Sequence, residues 1–264
     1  GTLGVVTKVS LLCPPKPLAK NILFVGLPSF SACVELFSRA KRNLGEILSA
    51  YEFLDHHSRV CAWENLEIPC PIESEYPFYV LIETSGSYGD HDQEKLEMFL
   101  EKLVDEGVDG TLASNDTQIS NIWSLREGIT LALNHDGHVW KYDVSLPVQK
   151  MYNLVEDMRE RLKGAPNMVR VVGYGHMGDS NLHLNITASE WSQEVSDLIE
   201  PYLYERVSEV RGSVSAEHGI GLQKRNVIHY SQSPEALALM KQIKNVFDPK
   251  GILMPYKVFP SSSD

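Results

Sequence analysis

Residues 173 to 185, Gly-Tyr-Gly-His-Met-Gly-Asp-Ser-Asn-Leu-His-Leu-Asn, leave the chain little choice of local structure. Two runs of alternating character flank the turn dipeptide Gly178-Asp179, which is the pattern of a β-hairpin. Any even loop centred on that dipeptide sets Tyr174 opposite His183 and His176 opposite Asn181. Because successive side chains of a strand point to opposite faces, Tyr174, His176, Asn181, His183 and Asn185 then share one face. Val171, Gly173, Gly175, Leu182, Leu184 and Ile186 take the other, which suits a core.

The periodicity along the rest of the chain predicts more of the same architecture. Strand-like runs at 22–27, 47–54, 78–84 and 108–112 alternate with amphipathic stretches at 31–44 and 93–105, the β-α-β-β-α-β order of a ferredoxin-like unit. A second copy of that order is expected from strands at 138–145, 168–176, 181–187 and 212–216, with helices at 148–162 and 192–210. A helix at 120–134 links the copies, and Ser233-Pro234 supplies an N-cap and a first-turn proline for a helix over 234–246. The fold class is therefore α+β, two fused antiparallel-sheet units with a C-terminal helical segment.

At 264 residues the chain is one large domain or two smaller ones. An opening strand-like run ends at Leu12, and Cys13-Pro14-Pro15-Lys16-Pro17 can continue neither a ladder nor a helix, so a junction falls there. The absence of an initiator methionine and the uncapped start at Gly1 suggest a cut through a larger protein. The four cysteines show no CxxC spacing, which excludes a zinc ribbon and reads as reduced thiols. No apolar run approaches the roughly 18 residues of a membrane span.

His176 and His183 are diagonal neighbours on the hairpin, roughly 7 to 8 Å apart at the backbone, and two imidazoles can close that gap by converging on one ion. A second stretch, Ser213-Val214-Ser215-Ala216-Glu217-His218-Gly219-Ile220-Gly221, ends a predicted strand with an acid and an imidazole. Glu217 can complete a site of two histidines and one carboxylate with open coordination positions, suited to zinc, with manganese or iron as alternatives. His218, adjacent but not needed as a ligand, stands where a general base belongs. A buried Glu-His pair that merely ends the strand is the plainer reading.

The formal charge of −11 offers no long-range attraction for nucleic acid or anionic membranes, so an anionic ligand needs local cations. Arg126 and Thr130 lie four apart on the 120–134 helix, and Lys141 follows in the next strand. A guanidinium, a hydroxyl and an ammonium suit carboxylate recognition, although a solvated surface explains any of them equally well.

The strings Gly175-His176-Met177-Gly178-Asp179-Ser180-Asn181-Leu182-His183, Ala216-Glu217-His218-Gly219-Ile220-Gly221 and Phe247-Asp248-Pro249-Lys250-Gly251-Ile252-Leu253 resemble the C-terminal part of FAD-linked 2-hydroxy-acid dehydrogenases. The resemblance runs over essentially the whole chain; Met254, where the family usually has Asn before Pro255, departs from it. It implies that residues 1–15 close the FAD-binding domain, with Gly1, Thr2 and Gly4 near the cofactor, and that 16–264 form the substrate domain. By resemblance His176, His183 and Glu217 are zinc ligands, Arg126, Thr130, Lys141, Asn185 and His218 contact a 2-hydroxy diacid, and His218 is the base. FAD, electron-transfer flavoprotein as acceptor and a mitochondrial location are implied in the same way. A D-lactate dehydrogenase and a catalytically silent metal-binding fragment are the alternatives, with a metal-dependent hydrolase less well supported.

Overall fold

In the computed structural model, which describes residues 1–113 and 115–260, the sheet begins with β1 (Ala19–Leu27). Then follow α1 (Phe30–Leu44), β2 (Leu48–Asp55), α2 (His56–Leu66), β3 (Phe78–Gly86), α3 (Gly89–Asp105), β4 (Gly110–Ala113) and α4 (Asp116–Leu133). The second half contributes β5 (His138–Ser145), α5 (Asn153–Arg161), β6 (Met168–His176), β7 (Asn181–Ala188), α6 (Gln193–Ile199), α7 (Tyr202–Glu209) and α8 (Pro234–Phe247). The seven strands form one antiparallel sheet in the order β4-β1-β3-β2-β6-β7-β5. Pairing of β2 with β6 makes the sheet continuous across the two halves.

Strand parity divides the core in two. Leu23, Val25, Phe53, Val80, Leu182 and Leu184 face a layer supplied by α1, α3, α5, α6 and α7. Ile22, Phe24, Leu54, Tyr79, Leu81, Val172 and Tyr174 face α2 and α4. This second layer covers only part of its face, and the polar side of the β6–β7 hairpin continues beyond it.

Some predicted elements take another form. Helix 192–210 is broken into α6 and α7 at Pro201, which has no N–H to give a helical ladder. The strand expected over 212–216 is reduced to one bridge, Ser145 to Ser213. No strand forms before Ala19, and Val5, Val6, Val9, Leu11 and Leu12 are exposed. The unpredicted helix α2 lacks an apolar stripe, burying only Ser58, Cys61 and Ala62, and it starts because the Asp55 side chain caps it.

Asp55 ties several elements together. Its carboxylate accepts from Ser58 N and Oγ at 2.8 and 2.7 Å in α2. It also accepts from Tyr152 Oη at 2.9 Å, Arg159 Nη2 at 2.7 Å and Gly173 N at 2.8 Å. Removing a fully buried charge partner strands the remaining groups, so Asp55→Ala is expected to lower unfolding free energy by about 3 to 5 kcal/mol. Denaturant titration checks this; a loss below about 1 kcal/mol, the value of an exposed pair, would contradict it.

Candidate functional site

The β6–β7 register sets Tyr174 opposite His183 and His176 opposite Asn181, as the hairpin pattern predicts. The turn spans 177–180, and its left-handed residue is Ser180, at φ 63°, rather than Gly178. Gly175 is required in β6: a Cβ there would lie 2.1 Å from the Asn181 carbonyl oxygen. Flanking strands extend the polar row, with Glu52 of β2 paired to His176, and Asp143 and Lys141 of β5 paired to His183 and Asn185.

On this row His176 Nε2 and His183 Nε2 face each other at 3.2 Å. Glu217 Oε1, from the loop after Ser213, approaches them to 4.0 and 3.6 Å. Donor atoms around a tetrahedral zinc ion at about 2.0 to 2.2 Å are about 3.3 Å apart, so the three are spaced to hold such an ion with little movement. Without one, a single proton shared by the two nitrogens accounts for their contact. Asp143 Oδ1 and Asn181 Oδ1, at the positions paired with the two histidines, are buried acceptors without a hydrogen-bond partner among the described residues. A wider grouping, Asp143, His183, Glu217 and His218, brings one donor atom each within 4.8 Å. His183 and Glu217 are common to this grouping and to the His176, His183, Glu217 set; in the wider grouping Asp143 Oδ2 accepts N–H bonds from Ala216, Glu217 and His218.

Glu52 fixes the orientation of His176. Its carboxylate accepts from His176 Nδ1 at 2.8 Å, which in the neutral ring leaves the lone pair on Nε2. The same carboxylate faces Arg126, with Nε at 3.1 Å and Nη2 at 2.9 Å. The hydrogen bond to Glu52 raises the His176 pKa against the effect of burial. Burial, with Arg126 and His176 adding to it, pushes His183 down to about 3. Asp143 is lifted by burial, but the N–H bonds from His218 and Glu217 outweigh that and hold it below the usual carboxylate range.

Arg126, 6% exposed, and Thr130 both point from α4 onto this row. The guanidinium stacks 4.7 Å from the Tyr174 ring centre, while Thr130 Oγ1 and Asn185 Nδ2 each lie 2.8 Å from Tyr174 Oη. Lys141 is exposed, its ammonium donating to Asn134 Oδ1 at the end of α4. His218 Nε2 is 3.7 Å from Glu217 Oε1, and its ring stacks at 6.1 Å on that of His183. Gly1 and Thr2 lie against the C-terminal segment, Thr2 O accepting from Lys244 Nζ at 2.7 Å, and Gly4 is exposed. A cavity of about 740 Å³, lined by Phe37, Lys41, Tyr51, Glu52, His176 and Asp179, opens beside His176.

The residues that sequence reasoning overlooked are Glu52, Asp143 and Lys224, whose Nζ donates to the Asp143 carbonyl. The first two carried a signal: each is a lone acid inside an apolar strand, Tyr51-Glu52-Phe53 and Tyr142-Asp143-Val144.

The fold is mixed α/β, and one face of its antiparallel sheet bears a polar cluster of imidazoles, carboxylates and a buried guanidinium. The chain belongs to the family of FAD linked oxidases, C-terminal domain, whose family model matches residues 16–258. It is 52% identical over 263 residues to mitochondrial D-2-hydroxyglutarate dehydrogenase of Bos taurus, covering 99% of this chain and 48% of that protein. It is likewise 52% identical to mitochondrial D-2-hydroxyglutarate dehydrogenase of Arabidopsis thaliana, covering 99% of this chain and 47% of that protein. The chain thus spans about half the length of these relatives. The structure of p-cresol methylhydroxylase with substrate bound shares the fold, with a TM-score of 0.65 at 12% identity over 95% of this chain and 54% of that one.

The His183 shift has a thermodynamic sign. Its folded pKa of about 3 lies below the ordinary 6.5, so between those values the unfolded chain takes up a proton that the folded chain refuses. The associated stability is complete above pH 6.5 and is lost as pH falls towards 3. In chelator-treated protein, His183→Gln is expected to flatten the acid limb of stability by up to about 1.4 kcal/mol per pH unit. Parallel curves for variant and parent would refute the shift.

Proposed function

We propose that this chain is the substrate-binding half of an FAD-dependent dehydrogenase that oxidises D-2-hydroxyglutarate to 2-oxoglutarate in the mitochondrion. The observation that carries the reading is the convergence of His176 Nε2, His183 Nε2 and Glu217 Oε1 within 4.0 Å of one another. The names of the relatives at 52% identity support the substrate and the compartment in this reading. Electron-transfer flavoprotein as the electron acceptor rests on the family resemblance.

In this reading His176, His183 and Glu217 hold a zinc ion against which the α-hydroxyl and adjoining carboxylate of the substrate lie. When bound, zinc would supply Lewis acidity towards that hydroxyl, and FAD would supply the hydride-accepting chemistry. His218, beside Glu217 and 63% exposed at its side chain, accepts the hydroxyl proton at a ring nitrogen. Arg126 meets a substrate carboxylate with the edge of its guanidinium not used by Glu52, and the exposed Lys141 ammonium meets the distal one. Asn185 and Thr130 act through the Tyr174 hydroxyl, which both contact, so they shape the wall behind the substrate. Glu52 keeps the His176 lone pair on Nε2. The two-unit reading of the fold is supported by the order β4-β1-β3-β2 in the first half and β6-β7-β5 in the second.

Elemental analysis after dialysis against a weak chelator is expected to find about one zinc per chain in the parent and none in His183→Ala. His218→Ala should retain the metal and lose about 100-fold or more in turnover, the usual worth of a general base. Full turnover in that variant would remove His218 as the base, and a metal-free parent protein would overturn the site.

A further inference from the structure

Glu217 and His218 belong to no regular element: they lie between the single bridge at Ser213 and Gly221, with side chains 51% and 63% exposed. Loop residues in such a setting are ordinarily free to move by more than a metal site tolerates, since three donors must stay within a few tenths of an ångström of their places. The backbone of 216–218 converges on one side-chain oxygen of the sheet, while Val214 N donates to Ser231 Oγ and Gly221 O accepts from Val258 N at the two ends of the loop. Asp143 Oδ2 accepts from Ala216 N at 3.1 Å, Glu217 N at 3.0 Å and His218 N at 2.9 Å. Ser215 Oγ lies 3.3 Å from the same oxygen.

Consecutive N–H groups turned onto one anion form a concavity with a standing preference for negative charge, and bonds to an ionised acceptor are roughly twice as strong as neutral ones. Here the protein fills the concavity with its own carboxylate. Asp143 is 2% exposed and cannot wander, because β5 is zipped to β7 along the register that pairs Asp143 with His183. The loop-borne donor and the strand-borne donor are therefore referenced to the same pair of positions in the sheet. His218 Nδ1, 3.8 Å from Asp143 Oδ2, is kept on the same side as its backbone anchor.

We propose that Asp143 is a positioning residue of the site: by gathering the 216–218 backbone onto one oxygen beside His183, it delivers the Glu217 carboxylate to the ion and the His218 imidazole to the substrate hydroxyl. The inference rests on the metal site of the proposed function. Outer carboxylates that orient metal ligands are worth about 10- to 100-fold in metal affinity, and the same range applies to Asp143 acting through Glu217.

The test compares the parent protein with Asp143→Asn, Glu217→Ala and the double variant, reading zinc affinity by competition with a chromophoric chelator and amide hydrogen exchange over 216–218. Asp143→Asn is expected to speed exchange at these amides and to weaken zinc binding about 10- to 100-fold. In the Glu217→Ala background the same change should cost almost nothing further, which a general loss of stability would not reproduce. Additive losses, or unaltered zinc affinity in folded Asp143→Asn, overturn the proposal. Should Asp143→Asn fail to fold, Ser215→Ala removes a donor from the loop side and leaves β5 intact; it must shift both readouts in the same direction by a smaller factor. A parent protein without zinc affinity defeats the metal reading itself, and unchanged exchange at 216–218 in the variants then defeats the anchor separately.

Discussion

The row of acids and imidazoles on the sheet hangs on the register of β2, β6, β7 and β5. The strand period is two, so the pairs Glu52 with His176, Tyr174 with His183 and Asp143 with His183 put acids and imidazoles on a common face. A slip of β7 by one residue against β6 would turn Leu182 and Leu184 out of the core and His183 into it, away from His176. The apolar face forbids that slip: Leu182, Leu184 and Ile186 are fully buried, and Gly173 is packed so closely that a Cβ would meet Val155 Cγ2 at 2.6 Å. Core packing on one side of the sheet therefore holds the chemistry on the other.

The charge distribution follows the same geometry. A chain of formal charge −11 places a guanidinium 6% exposed on this face, and it does so by pairing Arg126 with the equally buried Glu52. Such a pair adds little to stability by itself, because desolvation offsets most of the Coulomb gain. What it adds here is connection: Arg126 on α4 and His176 on β6 share one carboxylate. Helix α4 makes two parallel contacts, Trp123 Nε1 with Glu83 at 3.0 Å and Thr130 with Tyr174 at 2.8 Å. The spacing 123, 126, 130 puts the three on one side of the helix, so α4 is locked lengthwise to the sheet by polar contacts where an apolar seam alone would let it slide.

The hairpin was legible in the sequence because turn dipeptide, alternation and glycines all lie within 173–185 and need no distant partner. Glu217 and His218 were legible as residue types, but the strand thought to carry them is a loop, since only Ser213 pairs with β5. Glu52 and Asp143 were missed for a different reason. Each gains its meaning from a neighbour brought in by strand pairing, 124 residues away for Glu52 and His176, and local periodicity carries no information about which strands meet. The N-terminal run fails as a strand on the same ground: Val5, Val6 and Val9 have strand propensity but no paired edge. Helix α2 shows the converse, a cap and a docking surface creating a helix without an apolar period.

Burial is graded across the site in a way that bears on how a ligand enters. Asp143 and Arg126 are buried, His183 is 13% exposed at its side chain, and Glu217 and His218 are half-exposed or more. On the proposed function, a dicarboxylate would meet its groups in that order reversed: proton acceptor outermost, ion next, guanidinium deepest. The deep guanidinium is already paired with Glu52, so what it offers a carboxylate is the hydrogen-bonding edge that Glu52 leaves open rather than a net positive field.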